Sequence, residues 1–147
     1  MNSKQCKLPK NAVTDDEILR CFDVIVELRP HLKRDDFLMT VRSMEKEGYQ
    51  LAFIEDEGVA AAVTGYRIAT NLFMGKHLYV DDLVTASHFR SRGHGENMVD
   101  WLRDKAVDAG CNYLHLDSGT HRGQAHKFYF NQGLTIASYH FSQPLND

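Results

Sequence analysis

Apolar residues recur at helical spacing near the start of the chain. Ile18, Cys21, Phe22, Ile25 and Leu28 share one face, and Thr14 followed by Asp15, Asp16 and Glu17 forms a capping box with an acidic first turn. The spacing predicts a helix from Thr14 to about Leu28, closed by Pro30. Phe37, Leu38, Val41 and Met44 supply the stripe of a second helix over residues 34–46, with Gly48 as its stop. The pattern then turns to strands. Gln50 to Glu55 and Val59 to Ile68 flank Asp56-Glu57-Gly58 and read as a β-hairpin. His77 to Thr85 is a third strand, followed by the polar loop Ala86-Ser87-His88-Phe89 and then Arg90-Ser91-Arg92-Gly93-His94-Gly95.

From there to Ala109, Met98, Trp101, Leu102 and Ala106 keep helical spacing and Gly110 ends the run. Asn112 to Asp117 alternates as a strand, which makes a strand–helix–strand crossover and implies parallel pairing. A short helix follows over residues 123–132, ended by Gly133, and Thr135 to Phe141 reads as the last strand. The order β, α, α, β, β, β, α, β, α, β predicts an α/β fold with a mixed central sheet flanked by helices.

Length and charge narrow this reading. A chain of 147 residues suits one domain. A formal charge of −3 has the wrong sign for nonspecific nucleic-acid binding. Short basic stretches such as Lys4 to Lys10 and Arg29 to Arg34 read as solvated faces. The start, Met1 to Lys10, lacks the apolar run of a secretory signal, and no segment is long enough to span a bilayer. Cys6, Cys21 and Cys111 are odd in number and widely separated, which argues against a disulfide framework and for a reducing cytoplasm. No His-x-His or His-x-x-x-His pair occurs among the eight histidines, so no metal is expected.

The segment from Arg90 to Gly95 carries the chemistry. A strand, a turn with two glycines and a helix free of proline together hold phosphate oxygens well. Glycine lets the backbone approach, and the first amides of the helix point at the anion. Arg90 and Arg92 add charge suited to a diphosphate. Such a glycine pair equally serves a plain tight loop. The dinucleotide fingerprint fails, because Met98 stands where its third glycine belongs, and no P-loop Lys-Ser or Lys-Thr follows.

Arg90-x-x-Gly93-x-Gly95, together with Ala125-His126-Lys127-Phe128-Tyr129 ahead of Gly133, resembles the signature of the GNAT superfamily of N-acetyltransferases. The resemblance covers nearly the whole chain and implies one acetyltransferase domain over residues 1–147. It implies that acetyl-CoA lies where the strand ending at Thr85 splays from the strand starting near Asn112. The backbone of Leu83, Val84 and Thr85 would pair with the pantetheine arm. The amides of Arg90, Ser91, Arg92, Gly93, His94, Gly95 and Glu96 would take the diphosphate, and Ala125 and Phe128 would belong to the cofactor-binding helix. Members often carry an asparagine three residues before Ala125. Arg122 stands there instead and could reach a CoA phosphate or pair with an acid.

Acetyl transfer to an amine needs a base, oxyanion donors and a proton for the departing thiolate. Asp81 and Asp82 interrupt an apolar strand, and alternation would aim only one of them into a cleft. The resemblance favours Asp82, acting directly or through water, with Asp117 and His115 as backups. Tyr129 matches the superfamily tyrosine that donates to sulfur. The expected reaction is direct transfer to a primary amine of a small molecule, without a covalent enzyme intermediate. The acceptor's mouth is expected between the N-terminal helices and the loop Asn71 to Lys76, with Glu27, His31, Phe73 and Met74. A non-catalytic acyl-CoA-binding domain, or an enzyme acting on aminoacyl-tRNA or a protein terminus, is the alternative. Neither nucleic acid nor membrane is expected as a partner, and a homodimer stays open.

Overall fold

A computed structural model describes residues 7–146. Cys6 and most of the Met1–Lys10 stretch lie outside the described residues. The chain divides into two compact units, Met1–Leu116 and Asp117–Asp147, described in turn.

The first unit opens with a short strand, β1 (Lys10–Asn11), and the predicted capping box. Thr14 Oγ1 accepts from the Glu17 amide while the Glu17 carboxylate accepts from the Thr14 amide, which satisfies donors that a helix start would otherwise leave orphaned. The expected single helix is two, α1 (Asp15–Arg20) and α2 (Phe22–Leu28), joined at Cys21. The apolar stripe runs through the join, because Ile18, Cys21, Phe22 and Ile25 are all buried. A side-chain stripe records which face is buried and is blind to a local break in the backbone ladder. Helix α3 (Arg34–Glu45) buries Phe37 and Val41.

Strands β2 (Tyr49–Asp56), β3 (Val59–Asn71) and β4 (Gly75–Thr85) form an antiparallel meander, and β5 (Tyr113–Leu116) joins β4 in parallel. The sheet order is β1-β2-β3-β4-β5. Helices α1 to α3 share one core with Leu51, Phe53 and Val63 on one face. Helix α4 (His94–Asp108) lays Met98, Leu102 and Ala106 against Ala62, Tyr66, Leu78 and Val80 on the other. A sheet buried on both faces explains the long apolar run of β3, from Ala60 to Val63.

Between Gly65 and Tyr66 of β3 the register shifts, so that Gly65 faces Asp82 and Tyr66 faces Val80, with Asp81 as the extra residue. Such a bulge breaks side-chain alternation. The expectation that Asp81 and Asp82 point oppositely is therefore corrected: both carboxylates reach groups gathered at Tyr49.

In the second unit helix α5 (Gly123–Asn131) forms as predicted and Gly133 follows it with φ +89°. The strand expected over residues 135–141 does not form: none of these described residues is in a strand. Alternation makes a segment competent to be a strand, but a strand exists only through a hydrogen-bonded neighbour.

Candidate active site

Pairing along β4 is unequal on its two edges. On one side β3 accompanies it as far as Thr85, whereas on the other β5 accompanies it only from His77 to Val80. From Asp81 to Thr85 no strand among the described residues covers the outer edge of β4. β5 ends at Leu116, opposite Val80, and all four of its residues pair with β4, so the unpaired stretch follows from the shortness of β5.

Beyond Thr85 a single 3-10 turn (Ser87–Phe89) is fastened to α2 by Glu27, whose carboxylate accepts from the Ser87 amide at 3.1 Å and the Ser87 hydroxyl at 2.6 Å. Glu27, expected in the acceptor's mouth, is thus engaged in holding this corner. Next comes Arg90 to Gly95. Ser91 has φ +67° and Gly93 φ +84°, so two left-handed residues reverse the chain and start α4 at His94. The Asn97 amide makes the bond back to Gly93, at 3.0 Å, leaving the amides of His94, Gly95 and Glu96 without intrahelical acceptors. Arg90 and Ser91 are exposed. Arg92 is engaged, its Nη1 lying 2.8 Å from Glu57 Oε2 and 3.3 Å from Asp56 Oδ2.

Asp82 is mostly buried, with 13% of its side chain exposed, and both its oxygens have donors. Arg29 Nε donates to Oδ1 at 3.0 Å and Tyr49 Oη to Oδ2 at 2.8 Å. Arg29 also bonds the Asp81 carbonyl. Asp81 pairs with Arg67, whose guanidinium lies 5.5 Å from the Tyr49 ring centroid. Burial pushes the Asp81 carboxyl above its ordinary value against the pull of Arg67. Burial, with Asp82 beside it, pushes the Tyr49 phenol well above its own, so Tyr49 stays a donor. A side chain on Gly65 would collide with the Tyr49 hydroxyl, so the missing Cβ is what admits the ring.

Backup base His115 lies on β5 with Nε2 2.9 Å from His77 Nδ1. Cys21 is set aside as a nucleophile: it is buried, and burial pushes its thiol up to about 12. The loop Asn71 to Lys76 sits at the other end of β4. At about 3.3 Å per residue, ten steps put it some 30 Å from Thr85.

Arg122, Ala125, Phe128 and Tyr129 belong to the second unit. Arg122 is the residue before α5, and Ala125, Phe128 and Tyr129 lie on it. The Phe128 and Tyr129 rings meet edge to face at 5.6 Å. Burial raises the Tyr129 phenol above its usual range against the opposing charge of Arg122. Asp117 lies 3.5 Å from His140.

Asp56, Glu57, Arg29, Tyr49 and Arg67 escaped the sequence reading. Each meets the candidate residues across a long stretch of chain, and the one linear hint is Gly65 inside a strand.

The profile of the acetyltransferase (GNAT) family matches residues 14–134. An uncharacterized N-acetyltransferase of Bacillus subtilis (strain 168), YhdJ, is 32% identical over 138 residues, covering 92% of this chain and 97% of that protein. The chain belongs to the GNAT acetyltransferase family. It is accordingly an acyltransferase, and the mixed sheet with its helices is the fold of the family's solved structures. Glucosamine-6-phosphate N-acetyltransferase from Arabidopsis thaliana superposes with a TM-score of 0.75 at 21% identity, covering 95% of this chain and 100% of that one. The aminoglycoside N-acetyltransferase AAC(6')-Iy, solved with a CoA-linked bisubstrate analogue, gives a TM-score of 0.81 at 12% identity over 95% of this chain and 97% of its own. Among the described residues no helix is long and apolar enough to cross a membrane.

Proposed function

We propose that this GNAT chain acts as one catalytic domain that transfers acetyl from acetyl-CoA directly to a primary amine of a small molecule. The observation that carries the reading is the continuity of β4 with the turn. An open strand edge at Leu83 to Thr85 leads within a few residues to left-handed Ser91 and Gly93 and the free amides of α4. An extended pantetheine arm suits the first and a diphosphate the second. Arg90 to Glu96 would supply the amides, and Arg90 the exposed cation. The family resemblance also assigns Arg122, Ala125 and Phe128 of the second unit to cofactor binding.

In the proposed reaction the amine attacks the thioester carbonyl and Asp82 takes its proton, directly or through a water. Amides of Leu83 to Thr85 meet the oxyanion, and Tyr129 protonates sulfur as the C–S bond breaks. Tyr129 carries its proton at neutral pH, as any phenol does and as a donor to sulfur must. The Arg29 and Tyr49 bonds support Asp82 in a different sense, since they fix the carboxylate beside the open edge.

Thiol release from acetyl-CoA across amines, amino sugars, peptides and aminoacyl-tRNA tests the reading. Turnover with a small amine that falls about a hundredfold or more in Asp82→Asn and in Tyr129→Phe is the expected result. CoA binding with no turnover on any acceptor would leave a non-catalytic acyl-CoA-binding domain. Turnover confined to aminoacyl-tRNA or peptides would move the acceptor class.

A further inference from the structure

The β2–β3 turn and the Arg90–Gly95 turn are tied by side chains that the reaction above does not use. His94, the first residue of α4, is only 4% exposed, and its Nε2 lies 2.8 Å from Asp56 Oδ2. The same oxygen is 3.3 Å from Arg92 Nη1, which also meets Glu57 Oε2 at 2.8 Å. Asp56 ends β2 and Glu57 follows it in the hairpin turn. One hairpin tip therefore grips the residue before Gly93 and the residue after it.

That grip answers a mechanical need. Gly93 has no side chain to pack, and its φ of +84° lies in the left-handed region. Ser91 sits at φ +67°, a region that L-residues other than glycine enter at a cost. A loop of this shape needs anchors on its flanks. Arg92 also spreads over the buried Phe89 ring, 4.9 Å from its centroid, which fixes the guanidinium between that ring and the two carboxylates. With Asp56 and Glu57 offsetting it, Arg92 offers little net charge to an incoming anion.

His94 meets the same need from the other flank. Its Nδ1 is buried with no hydrogen-bond partner among the described residues, an expense that an apolar side chain of similar size would avoid. What the imidazole adds over such a side chain is the bond to Asp56.

We propose that His94 and Arg92 are positioning residues: by bonding the carboxylates of Asp56 and Glu57, they hold the Arg90–Gly95 backbone in the form that receives the diphosphate of CoA. This rests on the acetyl-CoA reading above and deepens it. Arg92 serves the site through its protein partners, and the anion is left to the helix amides and Arg90.

The test is calorimetric titration of CoA into the full chain and into His94→Leu, His94→Gln, Asp56→Ala and the His94→Leu/Asp56→Ala double variant. Near-ultraviolet circular dichroism confirms that each is folded. Asp56→Ala, in the last position of its strand, carries the test should His94→Leu fail to fold. His94→Leu and Asp56→Ala should each weaken CoA about tenfold, and the double variant should be no more than about twofold weaker than the worse single one, because the His94–Asp56 contact is lost in both. His94→Gln, whose amide nitrogen can donate to Asp56, should stay within about threefold of wild type. Single variants that bind like wild type, fully additive losses, or a glutamine variant as weak as the leucine one would overturn the positioning role alone. A wild-type chain that takes up no CoA would overturn the acetyl-CoA reading and this role with it.

Discussion

Strand β3 has a turn at each end, and the two turns differ in what surrounds them. At its start Glu57 and Gly58 both adopt positive φ, +52° and +78°, the two-residue turn whose twist suits a hairpin. Its acidic side chains are bonded by Arg92 and His94. At its end Leu72, Phe73 and Met74 form a three-residue loop before Gly75 at φ +72°. That loop is closed by Asn71 Oδ1, which accepts from the Met74 amide, and by Asn112, which donates to the Met74 carbonyl. Leu72 and Phe73 stand exposed. Local turn chemistry shapes both tips. Only the first lies at the end where β4 runs out into Arg90–Gly95, and so only its side chains have a turn to hold.

The largest expected effect breaks the first end directly. Gly93→Val forces a β-branched residue into the left-handed region, at a cost of about 1–3 kcal/mol, and re-aims the amides that follow. CoA affinity should fall at least about tenfold by calorimetry, and wild-type affinity in this variant would remove the turn from the binding site. A smaller effect sharpens the electrostatic side of the comparison. The Asp56 carboxyl is held below its ordinary value, most strongly by the hydrogen bond from His94, with burial opposing and Arg92 adding to it. A depressed carboxylate contributes stability above its unfolded value and loses it as pH falls through the folded one. Melting temperatures of wild type and Asp56→Ala should therefore differ at pH 7 and converge below the ordinary value of 3.8. A gap of constant size through acid pH would show that the contact owes nothing to the charge on Asp56. The smallest effect belongs to the far end. Phe73→Ser should change stability by no more than about 0.5 kcal/mol in denaturant melts and leave CoA affinity where it was. A large loss of affinity there would connect the two ends and end the contrast.

Most of the fold was legible in the sequence because its signals are local. The capping box at Thr14, the glycines after α3, α4 and α5, and the turn between the apolar runs of β2 and β3 each act within a few residues, and these elements formed. The break at Cys21 was hidden, since the buried stripe continues through it. The strand over residues 135–141 was over-read for the reason that pairing is supplied by a neighbour. Of the candidate site, Asp82, Leu83 to Thr85 and the Arg90–Gly95 turn were legible as candidates. Its supporting partners were not: Arg29 and Tyr49 meet Asp82 across 53 and 33 residues of sequence. The bulge that turns Asp81 and Asp82 toward the same group of residues follows from the register between β3 and β4.

The sequence by itself determined the family, the order of most elements and the position of the two-glycine turn before α4, because periodicity, caps and glycines act on the residues beside them. The tertiary structure decided what each charge does. Arg92, read from the chain as a phosphate cation, stands between two acids of a hairpin 35 and 36 residues away. Electrostatic roles depend on distance in space, and folding sets that distance.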